Sequence, residues 1–586
     1  MTTAGNKTEE IILHGIAASP GIVMGKAHIY TKHIPRIDDK PITQSEVEKE
    51  LERLRIAVER SENELQKILN LTEQKIGTAK AKIFEAQIMI LSDSVLFNSI
   101  RKKIQKDLRN AEWSVNQEIS KYQQLMMKSP DEYMRERAHD VEDVKNRIIR
   151  NIQHDKLISR FTEKAVVVSE ILTPADTVLF SRNEVLAYVT DMGGTTSHAA
   201  LLSRSLQIPS VVGLKEATKH IQQGTLIIVD GYAGNIYINP SRESIKKCNQ
   251  RKREHRTQEA KLGEIRRLDA QTLDGKVVEL SGNIEFSQET HFHDKQGAQG
   301  IGLYRTEGLF LREDEYPTEE EQFAEYKAIV QKVKPHKVVM RTLDIGGDKV
   351  VAHTHDEENP FLGWRGIRIS LDKPELFLAQ LRAMLRASAY GNARIMLPMI
   401  SGVKQIRKAK EMIEEAKDDL RKKKIAFDEA VKVGVMIEVP AAAVIAGDIA
   451  EEVDFLSIGT NDLIQYLIAV DRGNENVSSL YQEFHPAVIK TIHHIIEEGH
   501  RHNKPVAMCG EMAGDPVATL LLLGLGLDEF SVTPIVLPEI KKIIRSVSFK
   551  EAEEIANRVL EMKTEDDITD FLTVNLHTTV PELLIE

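Results

Sequence analysis

The sequence predicts a multidomain α/β protein. An N-terminal α/β domain carries an inserted α-helical bundle, and a C-terminal (β/α)8 TIM barrel follows. Three observations carry this prediction. Between Pro41 and Pro130 there is no proline and only one glycine, Gly77. Short β-like runs flank that helical stretch on both sides. Residues 271–586 then alternate eight apolar strand-like runs with amphipathic helices, which is the barrel pattern.

Taken in order, residues 11–31 (IILHGIAASPGIVMGKAHIYT) predict a short strand, a Ser-Pro-Gly turn and a second strand. In the next stretch Val47, Leu51, Leu54, Val58, Leu65 and Ile68 recur at 3, 4 or 7 residues, a helical seam. Ser45 with Glu46 and Glu48 offers its start. The seam breaks near Gly77 and restarts, which favours an antiparallel bundle over a coiled-coil spacer. The runs at 165–172, 185–190, 210–213 and 225–231 predict buried strands. Residues 1–40 and 153–240 are therefore expected to form one α/β domain, with the bundle at 41–152 inserted in it. Residues 241–270 are highly charged and helix-prone, as suits a solvated linker helix; acids interrupt the bases, which weakens a nucleic-acid reading. Barrel strands are expected at 277–283, 300–307, 337–348, 393–399, 432–440, 453–462, 504–514 and 528–534.

Composition narrows the function. Lys and Arg number 78 against 89 Asp and Glu, a net charge of −11, so bulk charge does not suit nucleic-acid binding. The start, MTTAGNKTEEIILHG, lacks the basic and apolar regions of a signal peptide. No apolar run approaches the roughly 18–20 residues of a membrane span, and ATLLLLGLGL (518–527) reads as a buried helix. Two cysteines, Cys248 and Cys509, fit a reducing compartment, and a cytoplasmic location is expected. A chain of 586 residues has room for three or four domains.

Chemistry concentrates in two places. Residues 193–206 read GGTTSHAALLSRSL, a glycine-led turn that delivers His198 to the start of a helix-like run. Helix N-termini offer unpaired N–H groups and favour phosphate, and a neutral imidazole there is a good nucleophile. On this stretch alone, an N-capping turn with an incidental histidine is as good a reading. In the barrel, polar residues recur at the C-terminal ends of the strands, where barrel active sites are built. They include Arg305 and Glu307, Arg341 and Asp344, Glu438, Asn461 and Asp462, and Cys509 and Glu511. Arg365, Arg368 and Arg472 follow in nearby loops. Arginines suit a substrate with both phosphate and carboxylate. Glu438 and Asp462 are the oxygen donors that magnesium takes. Cys509 stands where it could act as a general acid, although a lone cysteine is usually a buried structural thiol.

These motifs resemble a known family. GGTTSHAALLSRSLQIPSVVG resembles the phosphohistidine motif of the phosphoenolpyruvate-utilising enzymes. GIAASPGIVMGKA, GLYRTE, RTLDIGGDK, NPFLGWRGIRI, LRAMLRAS, MIEVPAA, SIGTNDLIQY with AVDRGN, and MCGEMAGD resemble the Enzyme I family of bacterial phosphoenolpyruvate–protein phosphotransferases. The resemblance covers nearly the whole chain in the same order. It implies that His198 is the phosphorylated nucleophile, with Thr177 of LTPADT bonding the imidazole. It implies that Arg305, Arg341, Arg365 and Arg472 hold phosphoenolpyruvate, with Lys349 and Asn461 as further phosphate ligands. Glu438 and Asp462 would hold Mg2+, and Cys509 would protonate the enolate carbon of pyruvate. The helical insertion would dock HPr, the small histidine phosphocarrier, and the barrel would form a homodimer. The histidine domain would then swing between barrel and HPr, with the hinge in 241–270.

The sequence departs from the family in three places. Thr195 stands where the family has Arg in GGRTSH, which removes a cation near the phosphate. Residues 72–103 carry three acids (Glu73, Glu85, Asp93) and six bases where the family's docking face is acidic, so an atypical carrier is expected. Ile464 and Glu483 replace other residues and are expected to be local packing changes. Pyruvate phosphate dikinase and phosphoenolpyruvate synthase share the TSHAA run, but residues 1–192 leave no room for their ATP-binding domain. A signalling component that reports the phosphoenolpyruvate-to-pyruvate ratio is the alternative from another class. A catalytically dead scaffold fits poorly with the retained charged set.

Overall fold

The computed structural model describes residues 10–31, 37–76, 78–127, 132–153, 164–181, 185–194, 197–290, 295–310, 316–346, 359–472, 474, 476–581 and 583. Lys349 and Thr195 lie outside the described residues. Two units divide the chain, Met1–His255 and Arg256–Ile585.

In the first unit the expected strand at the N-terminus is two strands. β1 (Ile11–His14) and β2 (Ile16–Ser19) stand at opposite edges of one eight-stranded sheet, and β3 (Ile22–Ile29) follows. The break is at Gly15, whose N–H donates to Gly234 O at 2.8 Å. A Cβ there would meet Val212 O at 2.7 Å, so only glycine lets the chain cross between the edges. β4 (Ala165–Ser169), β5 (Val185–Thr190) and β6 (Ser210–Val212) run parallel beside β3. β7 (Leu226–Asp230) and β8 (Asn235–Ile238) form the antiparallel hairpin on its other side. β4 is AVVVS and buried throughout, as a parallel central strand requires.

The helical region holds α1 (Val47–Ile76), α2 (Thr78–Ser92), α3 (Ser94–Asp107), α4 (Ala111–Met127) and α5 (Glu132–Ile152). The predicted seam is the one buried: Val47, Leu54, Leu65 and Ile68 pack in the bundle core with Ile100, Ile104, Val115, Ile119, Val144 and Ile148. Asp93 caps α3, accepting from Val95 N at 2.7 Å and Leu96 N at 3.1 Å. After β4 comes α6 (Pro174–Phe180), and after β5 comes α7 (His198–Ser205). Ala175, Val178 and Leu202 from these two helices join the bundle core. α8 (Ala217–His220) precedes β7, and α9 (Arg242–Ile265) follows β8. The division between the units falls inside α9.

The second unit is a closed, all-parallel barrel. Its strands are β9 (Glu279–Ile284), β10 (Gly300–Arg305), β11 (Lys337–Arg341), β12 (Asn392–Leu397), β13 (Lys432–Ile437), β14 (Phe455–Ile458), β15 (Val506–Met508) and β16 (Glu529–Val532). Alternation along the strands makes two layers, with a register shift in β10 after Ile301. Leu303, Val339, Met396, Met436, Phe455 and Cys509 fill the interior. Leu280, Ile301, Val338, Met340, Ile395, Val435, Leu456 and Ile458 face the helices in the main core. Several strands are shorter than the apolar runs suggest. β11 stops at Arg341, and β15 stops at Met508 and gives way to a tight turn at Glu511–Gly514. One further bond reaches the neighbouring strand past each end, from Thr342 N to Met396 O at 2.9 Å and from Cys509 N to Ile458 O at 3.0 Å. The helix Pro516–Gly524 buries Leu520, Leu521, Leu522 and Leu523, as its apolar run predicts. Among the described residues no helix is long and apolar enough to cross a membrane.

Candidate active site

The C-terminal ends of the barrel strands surround a cavity. Arg305, Arg341, Arg365, Asn461, Arg472, Glu438, Asp462 and Cys509 all line it, together with Asp344, Leu303, Phe361 and Met436. Residues scattered over 200 positions are thus brought to one mouth. Two glycines permit the close approaches. Gly346 has φ +125°, and a Cβ there would meet the Arg365 Cβ at 2.4 Å. A Cβ on Gly510 would meet Thr460 Oγ1 at 1.8 Å, so the chain after Cys509 lies directly against the end of β14.

Each cation is aimed by carboxylates. Arg341 Nη2 donates to Glu307 Oε1 at 2.8 Å, and its Nη1 lies 3.1 Å from Asp344 Oδ2. Arg365 Nη2 lies 3.1 Å from both Asp344 Oδ2 and Asp462 Oδ2, and its Nη1 donates to Tyr466 OH at 3.2 Å. Tyr466 in turn donates to Phe361 O at 2.6 Å. Burial works against both guanidinium charges, but Glu307 and Asp344 beside Arg341, and Asp344 and Asp462 beside Arg365, raise both pKa values well above the ordinary range. Arg305 pairs with Glu285 at 2.9 Å, and Arg472 with Glu511 at 3.2 Å. Asn461 and Glu511 lock each other: Asn461 Nδ2 donates to Glu511 Oε1 at 2.9 Å and Glu511 N donates to Asn461 Oδ1 at 2.8 Å. Arg368 takes no part, since its Nη1 donates to the Leu362 and Gly363 carbonyls.

Three carboxylates crowd together beneath the arginines. Asp344, Glu438 and Asp462 each bring an oxygen to within 4.8 Å of the others. Glu438 is buried, and its Oε1 accepts from Met399 N at 2.6 Å. Burial pushes its pKa up, and the charges of Asp344 and Asp462 push it further. Carboxylates that repel one another in a buried site are relieved by a dication, and hard oxygen donors fit magnesium. The donor set therefore fits that ion. Asp344 is the acid that sequence reasoning left without a role. Its signal was its place three residues after Arg341 in RTLDIGGDK.

Cys509 is buried, and burial pushes its thiol up to about 11 against the pull of the Ser457 hydroxyl and the Arg341 charge. It is held as S–H, the form a proton donor needs. Glu483 is half-buried. Burial, with Asp515 and Glu511 nearby, pushes its carboxyl up to about 7. Ile464 does pack in the main core.

His198 and Thr177 belong to the other unit. His198 is the first residue of α7, with Ser197 at the N-cap accepting from Ala200 N at 3.3 Å. The loop before it is anchored by Asp191, whose Oδ1 accepts from Ala217 N at 2.5 Å, and by Thr190 Oγ1 donating to Met192 O at 2.7 Å. Thr177 is buried in α6, its Oγ1 donating to Thr173 O at 3.0 Å and its carbonyl accepting from Tyr188 OH at 2.8 Å.

Comparison with known proteins matches this chain to three family models. They are "PEP-utilising enzyme, N-terminal" over residues 14–137, "PEP-utilising enzyme, mobile domain" over 161–234 and "PEP-utilising enzyme, PEP-binding domain" over 259–549. The phosphoenolpyruvate-protein phosphotransferase of Geobacillus stearothermophilus is 42% identical over 575 residues, covering 97% of this chain and 99% of the relative. That of Bacillus subtilis (strain 168) is 42% identical over 564 residues, covering 96% and 99%. That of Haemophilus influenzae is 41% identical over 565 residues, covering 96% and 98%. The chain belongs to the PEP-utilising enzymes, among the phosphoenolpyruvate–protein phosphotransferases, and moves a phosphoryl group from phosphoenolpyruvate to protein.

Proposed function

We propose that this chain transfers the phosphoryl group of phosphoenolpyruvate to its own His198 and then to a histidine of an HPr-type carrier, releasing pyruvate. The observation that carries the reading is the convergence of four arginines and three crowded carboxylates on one cavity at the ends of the barrel strands. The arginines suit the phosphate and carboxylate of phosphoenolpyruvate, and the carboxylates suit a dication. Glu438 and Asp462, with Asp344 beside them, would hold Mg2+, which would neutralise charge on the phosphoryl oxygens.

The chain's own residues do the rest. Arg305, Arg341, Arg365 and Arg472 bind the phosphate and carboxylate groups through charge-assisted hydrogen bonds, and Asn461 adds an amide. Lys349, which lies outside the described residues, is assigned to the phosphate by the family resemblance. Leu303, Phe361 and Met436 line the apolar side of the cavity and exclude water. A neutral ring nitrogen of His198 attacks phosphorus, and the bond from phosphorus to the enol oxygen breaks. Thr177 orients the ring. Cys509 gives its proton to the enolate carbon. Because the two sites lie in different units, the histidine-bearing unit must travel, and the charged helix α9 is where we assign the hinge. The protein works in the cytoplasm as a homodimer through the barrel.

The test is labelling with phosphoenolpyruvate carrying radioactive phosphate, with and without magnesium. Magnesium-dependent label that is acid-labile, base-stable and passed to added HPr is the expected result. Label that forms but stays on the protein in the presence of standard HPr assigns the basic 72–103 stretch to an atypical carrier. No label under any condition overturns the reading.

A further inference from the structure

Ser457 is a polar residue on an apolar surface. In β14, Phe455 joins the barrel interior while Leu456 and Ile458 face the helices. Alternation therefore turns Ser457 inward, and it is 1% exposed. A hydroxyl in an apolar interior needs a partner. Its oxygen donates to Cys509 Sγ at 3.4 Å. The rest of Cys509 is fixed as well. Its N–H donates to Ile458 O at 3.0 Å, and its carbonyl accepts from Asn283 Nδ2 at 3.1 Å. Asn283 is held in turn by Ser531 Oγ, which donates to its Oδ1 at 2.6 Å.

The direction of the Ser457 bond matters. With the hydroxyl proton placed on sulfur, the thiol cannot donate back to that oxygen. Its S–H is left to a weak contact with Ile458 O at 3.7 Å or to the cavity. We infer that Ser457 is a positioning residue that directs the Cys509 proton to the bound enolate and then solvates the thiolate left behind. The inference rests on the reading of Cys509 as proton donor. In the step, the electron pair of the enolate C=C takes the thiol proton and forms the new C3–H bond. The oxygen lone pair closes to the ketone C=O. The S–H electron pair stays on Sγ as thiolate, which accepts the Ser457 O–H, and water restores the proton after pyruvate leaves. An anion stranded in this interior without that donor would be costly, so the transfer would slow and enolpyruvate would escape to be protonated by solvent.

The handedness of the product methyl reads this directly. Phosphoenolpyruvate stereospecifically deuterated at C3 is turned over once in tritiated water, and phosphohistidine formation is followed in the same samples. Protonation on the enzyme adds to one face and gives a chiral methyl; protonation in solution adds to both. Ser457→Ala is expected to cut the chiral excess relative to phosphohistidine formation by about tenfold, the scale of a weakened general acid. Ser457→Thr, which keeps the hydroxyl, is expected to restore most of it. A full excess in Ser457→Ala beside a racemic Cys509→Ala overturns the inference. So does an equal fall in excess and phosphohistidine, or a Thr variant that behaves like Ala. A full excess in Cys509→Ala overturns the proton-donor reading instead.

Discussion

At the N-terminal end of the barrel, Lys337 sits between two glutamates, 2.7 Å from Glu279 Oε2 and 2.6 Å from Glu529 Oε2. At the C-terminal end, four arginines face three carboxylates around a cavity. Both ends bury charge on the first or last residues of strands, yet the arrangements differ. At the bottom one ammonium is held between two carboxylate partners. At the mouth the carboxylates Asp344, Glu438 and Asp462 crowd each other, and the arginines keep donors to spare. Charges that saturate one another hold a fold together, and such bottom-face sets serve stability. Charges in mutual conflict around open space store free energy that a ligand of the right charge releases.

The largest expected effect separates the two ends by activity. Glu438→Gln should slow phosphoryl transfer from phosphoenolpyruvate by about 10³-fold or more, as removal of a preorganised charge does. Its thermal midpoint should stay level or rise, because the amide relieves the repulsion from Asp344 and Asp462. Labelling rates and calorimetry on one preparation check both halves, and a large fall in midpoint would break the comparison. The opposite pattern is expected at the bottom. Lys337→Met strands the buried carboxylate of Glu529, with the part-exposed Glu279 beside it, and should cost about 3 kcal/mol by denaturant unfolding. Its labelling rate per folded molecule should stay within about twofold of wild type.

Smaller effects sharpen the account. Asp344→Asn should raise the magnesium concentration for half-maximal labelling by about 10- to 100-fold, the usual scale for a supporting carboxylate. An unchanged requirement would leave Asp344 as a partner of arginines alone. The smallest effect concerns pH. Glu483 is pushed up from its ordinary 4.5 to about 7 in the folded protein, so folding favours its protonated form. Its contribution is therefore complete below pH 4.5 and is lost as pH rises through 7. Glu483→Gln should remove that slope, measured as unfolding midpoints between about pH 4.5 and 7. A slope identical in the two proteins would contradict the assignment.

The barrel was legible because each buried strand reads as an apolar run ending in polar residues, and the seam of α1 because Val47, Leu54, Leu65 and Ile68 repeat at helical spacing. What escaped the sequence depends on neighbours that are close only in space. Gly15 looks like any glycine between strands until Val212 and Gly234 close around it. Asp344 reads as one more acid near a glycine pair until Glu438 and Asp462 meet it. Glu483 reads as a substitution in a loop, and only burial beside Asp515 and Glu511 turns it into an electrostatic one. Ser457 reads as a small core residue, because its partner Cys509 is 52 residues away. Strand ends were placed too far along, since the strand-like run continues past Arg341 and Met508, where the strands end after one more bond to a neighbour, from Thr342 N and from Cys509 N.

The central claim is that binding and phosphoryl acceptance are divided between the barrel mouth and His198. Titration of His198→Ala with phosphoenolpyruvate and magnesium, beside labelling of the same sample, tests it most directly. The account predicts wild-type affinity with no acid-labile label. A variant that still labels, or one that no longer binds phosphoenolpyruvate, would contradict it.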